Sequence, residues 1–405
     1  MKIVRTMGPT IKRISKGFPV LLLTGMRQIG KTYLLDNIRE PRRRYVSLDF
    51  PDERDLAKNH PDLFLQRYKP PLLIDEAQYA PELFTYIKIY VDTHKQNGLF
   101  WLTGSQKFNL MQGIQESLAG RVAILDMLGF SWREITGQPE SRPFLPSKIT
   151  KQPSPEKSNM KLLDLYKVIW GGAFPRLVVH DSKNREVFYR SYLQTYIERD
   201  IKDYQDIDDN IRFFKFIRAT AVRTGNLINY ADLARDADID VRTAKKWLAA
   251  LERSCLVKLL YPYHVNVTKR LVKTPKLYFM DTGLCAFLGG FDTPKSLEAG
   301  YLSGAILETW AFIEIMKSYW HNGEDPLIYF YRDADQREID FVIERNMTLY
   351  PIEVKKTSAP TAESAKHFIH LEKLKKPVGM GAVLCLRPSP LPLNKDAVAL
   401  PIWDV

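Results

Sequence analysis

The stretch Gly25-Met26-Arg27-Gln28-Ile29-Gly30-Lys31-Thr32 constrains this chain more than any other, because it fits G-x-x-x-x-G-K-[ST], the spacing of a loop that wraps phosphates. Glycines at both ends let the backbone bend and turn its N–H groups toward an anion. Lys31 then reaches the outer phosphates, and the Thr32 hydroxyl is a ligand for Mg²⁺. The flanks agree: Phe18-Pro19-Val20-Leu21-Leu22-Leu23 reads as a buried strand, and Tyr33-Leu34-Leu35-Asp36-Asn37-Ile38 as a helix whose N-terminal dipole favours phosphate. The cradle is expected to run over Gly25, Arg27, Gln28, Ile29, Gly30, Lys31, Thr32 and Tyr33.

Strands in an α/β order follow. Tyr45-Val46-Ser47-Leu48-Asp49, after Arg42-Arg43-Arg44, reads as a second strand. Pro70-Pro71-Leu72-Leu73-Ile74-Asp75-Glu76 is an apolar strand ending in two acids. That spacing after a phosphate loop assigns Asp75 to magnesium, and the adjacent Glu76 to orienting and polarising the attacking water. Leu99-Phe100-Trp101-Leu102-Thr103-Gly104-Ser105 is the next strand. Ser105 is either a hydrogen-bonding partner of the outer phosphate or water, or a plain turn residue. Arg121, before the strand Val122-Ala123-Ile124-Leu125, is either a guanidinium reaching a nucleotide across a subunit boundary or a surface arginine.

With 405 residues, several domains are expected; 45% hydrophobic and 26% charged residues are ordinary for a globular chain. No apolar run approaches membrane-spanning length and no signal-peptide core follows Met1, so a cytoplasmic location and no membrane partner are expected. Cys255, Cys285 and Cys385 are scattered, which indicates neither a zinc knuckle nor a disulfide framework. A net charge of +12 leans toward a polyanionic partner.

Residues 21–134 resemble the AAA-type ATPases of bacteria and archaea whose C-terminal half is a domain of unknown function. The carrying stretches are the phosphate loop, Leu73-Ile74-Asp75-Glu76-Ala77-Gln78 and Leu102-Thr103-Gly104-Ser105. Leu118-Ala119-Gly120-Arg121, Trp170-Gly171-Gly172-Ala173-Phe174-Pro175 and Tyr196-Ile197-Glu198-Arg199-Asp200 extend the likeness over nearly the whole chain. The resemblance implies ATP as the nucleotide and a phosphate-loop α/β fold with an AAA+-like parallel sheet. It also leaves room for a homo-oligomer with Arg121 acting between subunits.

The expected division is 1–136 for the ATP-binding domain, 137–160 for a linker or insertion with five prolines and four serines, 161–206 for a helical lid, 207–295 for a winged helix and 296–405 for a second α/β domain. In the winged-helix segment Asp240 suits a helix cap, and Val241, Ala244, Leu248 and Leu251 repeat toward a core. Arg242, Lys245 and Lys246 then face outward, as along DNA phosphates, with Lys269, Arg270 and Lys273 at the wing. Asp232, Asp236 and Asp238 on the paired helix would repel the same polyanion. A winged helix that packs only against protein is the open alternative.

In the last segment, Arg337-Glu338-Ile339-Asp340-Phe341-Val342-Ile343 and Leu349-Tyr350-Pro351-Ile352-Glu353-Val354-Lys355 alternate like paired strands around Asn346-Met347. That register sets Asp340 opposite Glu353, with side chains about 5 Å apart. Both are candidate ligands for a divalent metal, and Lys355 lies on the same face as Glu353. Glu308, on the apolar side of a helix from Gly304 to Trp320, needs a partner that a metal cluster would provide. The set resembles the PD-(D/E)xK nuclease fold, with Ile339 where the name-giving proline would stand. The resemblance implies catalytic roles for Glu308, Asp340, Glu353 and Lys355. Such modules also persist as binding platforms without cleavage.

Overall fold

In β1 (Val20–Gly25), Val20, Leu21, Leu22 and Leu23 are all fully buried, so both faces of the strand need cover. The computed structural model, which describes residues 3–104, 107–140, 142–147, 160–180, 184–196, 210–266 and 273–405, supplies that cover. β1 pairs in parallel with its neighbours in a five-stranded sheet built with β2 (Arg44–Ser47), β3 (Leu72–Asp75), β4 (Phe100–Thr103) and β5 (Val122–Met127), in the order β2-β3-β4-β1-β5. Val20, Leu22, Ile74 and Leu102 pack on one side against Phe84 and Ile87 of the helix Leu83–His94. Leu21, Leu23, Leu73 and Trp101 face the other side, where the helix Met7–Ser15 brings Met7 and Ile11. With every strand parallel, the carboxyl ends, where ligands bind in such sheets, lie along one edge.

Of the arginine run at the start of β2, Arg42 and Arg44 are exposed but the middle residue is not. Arg43 is buried, its guanidinium 4.0 Å from the Trp101 ring and 2.7 Å from Glu40 Oε2. Trp101 donates from Nε1 to Ser15 Oγ at 2.8 Å, tying β4 to the first helix.

Three helices, Leu162–Gly171, Pro175–Val179 and Arg185–Tyr196, follow the sheet. Next come helices Asn210–Ala221, Tyr230–Ala237 and Val241–Arg253, with an antiparallel sheet of β6 (Asn226–Leu227), β7 (Val257–Leu260) and β8 (Lys276–Phe279) in the order β6-β8-β7. Asn229 and Asp240 cap the last two of these helices with their side chains. Ala244, Leu248 and Leu251 face the core as the periodicity requires, but Val241 is 42% exposed. Trp247 takes the buried place instead, edge-on to Phe213 at 5.1 Å and Phe216 at 5.5 Å.

The helix Ser303–Trp320 leads into a six-stranded mixed sheet of β9 (Ile328–Arg332), β10 (Glu338–Arg345), β11 (Thr348–Val354), β12 (Gly381–Cys385), β13 (Leu391–Pro392) and β14 (Ala397–Pro401), ordered β13-β14-β12-β11-β10-β9. β10 and β11 form a hairpin with Arg345 opposite Thr348, so Asn346-Met347 is the two-residue turn. Both turn residues have positive φ, 50° and 62°, and Met347 tolerates it with its side chain 74% exposed.

The modules do not hang apart. One continuous core runs from Met7 and Leu23 through Leu165, Phe216 and Leu251 to Phe312, Phe341 and Trp403. Within it, Glu314 and Lys317, each side chain 3% exposed, are paired at 2.7 Å. Glu314 accepts from the Trp132 N–H at 2.8 Å, and Lys317 donates to the Phe130 carbonyl at 2.7 Å. The segment read as a linker is anchored at its described part: the Phe144 N–H donates to Ser318 Oγ, and Tyr319 donates its hydroxyl to the Phe144 carbonyl, both at 2.9 Å. Residues 141 and 148–159 of that segment lie outside the described residues, as do 197–209. Among the described residues no helix is long and apolar enough to cross a membrane.

Candidate active site and a second acidic cluster

The loop between β1 and the helix Lys31–Ile38 bends through positive φ at Gly25 (135°), Gln28 (59°) and Gly30 (88°). Gly25 has no substitute: a Cβ there would sit 2.1 Å from the Met127 carbonyl oxygen of β5. Ile29 is buried beneath the loop, while Gln28 and Tyr33 are exposed and Arg27 is half-buried. Lys31 is buried and donates from Nζ to the carbonyls of Gly25 (3.0 Å) and Met26 (2.8 Å). Burial lowers its pKa to about 8, and the charge of Glu76 is the largest influence raising it.

Asp75 and Glu76 arrive from β3. Thr32 donates its hydroxyl to Asp75 Oδ1 at 2.8 Å, and Tyr45 of β2 donates to Oδ2 at 3.2 Å. Burial, with the Glu76 charge beside it, pushes the Asp75 pKa up against those hydrogen bonds. Glu76 leaves the strand in a left-handed conformation (φ 53°), and Gln78 donates from its side-chain amide to Glu76 Oε2. Gln78 in turn lies against the end of β4: a Cβ on Gly104 would be 2.1 Å from Gln78 Oε1. The hydroxyl of Thr32 and the carboxylate of Asp75 are the hard oxygen donors a magnesium ion takes.

Three further residues border this site. Tyr45 clamps Asp75 from the neighbouring strand, which nothing near it in sequence announces, and Gln78, two residues beyond Glu76, holds that carboxylate. Arg176 lines a cleft of about 620 Å³ with Gln28, His180, Phe188 and Tyr192, and Pro175 lies 3.9 Å from where a Cβ of Gly30 would stand.

Arg121 is elsewhere. It precedes β5 at the amino edge of the sheet and forms a two-pronged pair with Asp92, Nε to Oδ1 at 2.6 Å and Nη2 to Oδ2 at 2.9 Å. Ser105, Lys269 and Arg270 lie outside the described residues.

On the helix Val241–Arg253, Arg242, Lys245 and Lys246 are exposed, as is Lys273 before β8. The acids expected to repel a polyanion are already paired: Asp232 with Arg235, Asp236 with Arg223 and Asp238 with Arg212.

The C-terminal acids do come together. A register shift in the β9–β10 pairing between Ile339 and Val342 brackets Asp340, the kind of bulge that re-aims a side chain. Asp340 Oδ2 accepts the Val354 N–H at 2.8 Å, Glu353 Oε2 accepts the Asp340 N–H at 3.4 Å, and Lys355 Nζ lies 2.6 Å from Glu353 Oε1. Burial raises the pKa of Asp340, Glu353 and Glu308, and the Asp340 charge adds to it at the two glutamates. Glu308 does have the partner that its burial calls for, and the protein itself supplies it: Lys276 Nζ at 3.1 Å and the Tyr278 hydroxyl at 2.6 Å, both from β8.

A phosphate loop at the carboxyl edge of a parallel sheet, with the β3 acid on the loop's threonine, defines a P-loop domain. Residues 17–136 match a family described as an AAA domain, which makes this segment a P-loop domain of the AAA ATPase type. Residues 162–295 and 303–405 match two families, each described as a domain of unknown function (DUF8612 and DUF4143). Most of the chain is similar to the uncharacterized proteins Mb2031c of Mycobacterium bovis and Rv2008c of Mycobacterium tuberculosis. Each is 29% identical over 353 residues, covering 87% of this chain and 73% of the relative. Among solved structures, the Walker-type ATPase PABY2304 of Pyrococcus abyssi covers 70% of this chain and 94% of its own at 14% identity. Its TM-score of 0.41 is too low to bear on function.

Proposed function

We propose that the chain is a magnesium-dependent ATPase that acts on DNA. The observation that carries the ATPase half is the contact between Thr32 and Asp75 beside the buried Lys31, which joins loop and strand in one site. In this reading the N–H groups of the 25–33 loop and the Lys31 ammonium hold the phosphates, and Thr32 and Asp75 hold magnesium. Bound there, the ion neutralises charge on the outer phosphates. Glu76, steadied by Gln78, orients and polarises the attacking water. The nucleoside end takes the cleft beside Gln28 and Arg176, whose volume of about 620 Å³ suits a small ligand. An Arg121 acting on a neighbouring subunit's nucleotide would first have to leave Asp92. The test is phosphate release from ATP with magnesium. A Lys31→Ala protein that binds and hydrolyses ATP as wild type does would sink this half.

The DNA half rests on the segment 207–295, where, among the described residues from 210 to 279, three helices and an antiparallel three-stranded sheet follow the order of a winged helix. Its outward basic residues, Arg242, Lys245 and Lys246, suit a helix laid along phosphates once the neighbouring acids are paired.

We read residues 296–405 as a nuclease-like sheet serving as a platform rather than a cutting centre. Hydrolysis there would ask Asp340 and Glu353 to hold a divalent ion with Glu308 in support. The pairing of Glu308 with Lys276 and Tyr278 does not fit that arrangement. Metal-dependent nicking of DNA that disappears in an Asp340→Ala, Glu353→Ala protein would restore the cutting reading.

A further inference from the structure

Four carboxylates converge at the junction of the middle segment and the C-terminal sheet. Glu308 comes from the long helix, Glu338 and Asp340 from β10, and Glu353 from β11. A buried group of this kind must be neutralised from somewhere. Lys276 enters it from β8, its side chain only 4% exposed, with Nζ 2.6 Å from Glu338 Oε1 and 3.1 Å from Glu308 Oε1. Tyr278, two residues along β8, donates to the same Glu308 oxygen at 2.6 Å. Lys355 covers Glu353 at 2.6 Å, and Asp340 accepts the Val354 N–H at 2.8 Å.

Each carboxylate therefore already has a protein donor. A magnesium or manganese ion demands several oxygen ligands in a near-octahedral shell. As the side chains stand, with Lys276 among them, no group of three Asp, Glu, His or Cys among the described residues is arranged to supply one.

We propose that Lys276 is the resident cation of this cluster, standing where a divalent metal would otherwise be required. The ammonium gives the charge and hydrogen bonds a metal would give, and it fixes β8 to the C-terminal sheet. Because β8 pairs with β7, which follows the basic helix Val241–Arg253, the same lysine joins the segment carrying that helix to the acidic sheet. This goes beyond the reading of the C-terminal segment as nuclease-like and does not depend on it.

The test uses the full chain without nucleotide and counts bound Mn²⁺ by the loss of the free-ion electron paramagnetic resonance signal. Wild type and Asp340→Asn, Glu353→Gln are expected to bind the same number of ions, because the cluster holds none. Lys276→Met is expected to gain one Mn²⁺ site that Asp340→Asn then removes. It should also melt about 4–6 °C lower in chelator, with most of that loss regained in millimolar Mn²⁺. A wild-type Mn²⁺ site abolished by Asp340→Asn, Glu353→Gln overturns the proposal. So does a Lys276→Met protein that folds, gains no ion and melts like wild type. If Lys276→Met does not fold, the wild-type comparison decides alone.

Discussion

Glu76→Gln separates the chemistry of the nucleotide site from its binding. An amide has nearly the shape of a carboxylate and can still accept from the Gln78 side chain that holds Glu76, so position should be kept. What is lost is the basicity that polarises water, which contributes typically 10²–10⁴-fold. At about 1.4 kcal/mol per tenfold, that is roughly 3–5 kcal/mol of barrier. A second effect runs through Lys31. Its pKa of about 8 is supported chiefly by Glu76, so the amide lowers it further and removes some ammonium at neutral pH. Assays near pH 6.5 keep Lys31 charged and leave the chemical step exposed. Single-turnover hydrolysis at saturating magnesium and ATP should fall at least 100-fold, while a fluorescent ATP analogue binds within about threefold of wild type. A variant that turns over within threefold of wild type would refute the role given to Glu76.

Other consequences are as direct. Because the folded-state pKa of Lys31 is lowered from 10.5 to about 8, the unfolded chain binds more protons between those values, so this group makes nucleotide-free stability rise with pH across that window. ATP binding at pH 8.5–9 should then take up a proton, read by calorimetry in buffers of different ionisation enthalpy; zero uptake would contradict a lowered Lys31. Tyr45→Phe frees one oxygen of Asp75 and should raise the Mg²⁺ midpoint of ATP turnover about tenfold with little change in metal-free nucleotide binding. Gly25→Ala, with its Cβ driven to 2.1 Å from the Met127 oxygen and φ at 135°, should cost at least about 3 kcal/mol in chemical denaturation, and a change below 1 kcal/mol would contradict the close approach. Lys245→Glu with Lys246→Glu should weaken DNA binding more than tenfold and flatten its logarithmic salt dependence by about 2 units; unchanged binding would assign the helix to protein contacts.

Local rules made much of this legible before any coordinates. The loop glycines, the strand ending in Asp75 and the two-residue turn at Asn346-Met347 are short-range patterns, and that turn, with period-two alternation, set Asp340 opposite Glu353. The chain hid what depends on distant partners. Nothing near Glu308 in sequence announces Lys276, 32 positions earlier on a strand of another sheet. Arg43 looks like one of three surface arginines until Trp101 is known to lie beneath it. Val241 lies exposed at the start of its helix, while Trp247 fills the i+3 place between Ala244 and Leu251 against Phe213 and Phe216, a core position the sequence reading does not name. The prolines around Phe144 suggested a loose tether, yet its backbone is fastened to the long helix by Ser318 and Tyr319.

The shared interior sets a rule for anyone dissecting this protein. Cutting at 136 or 302, where the family matches end or begin, would strand Met7, Leu23 and Leu125 without their apolar neighbours and part Trp132 from Glu314. Fragments made that way would be sticky and misleading, and point substitution in the intact polypeptide is the sounder instrument. A nucleotide-driven rearrangement would likewise have to travel through a solid, either tilting the Ser303–Trp320 rod as a piece or prising Lys317 from the carbonyl of Phe130.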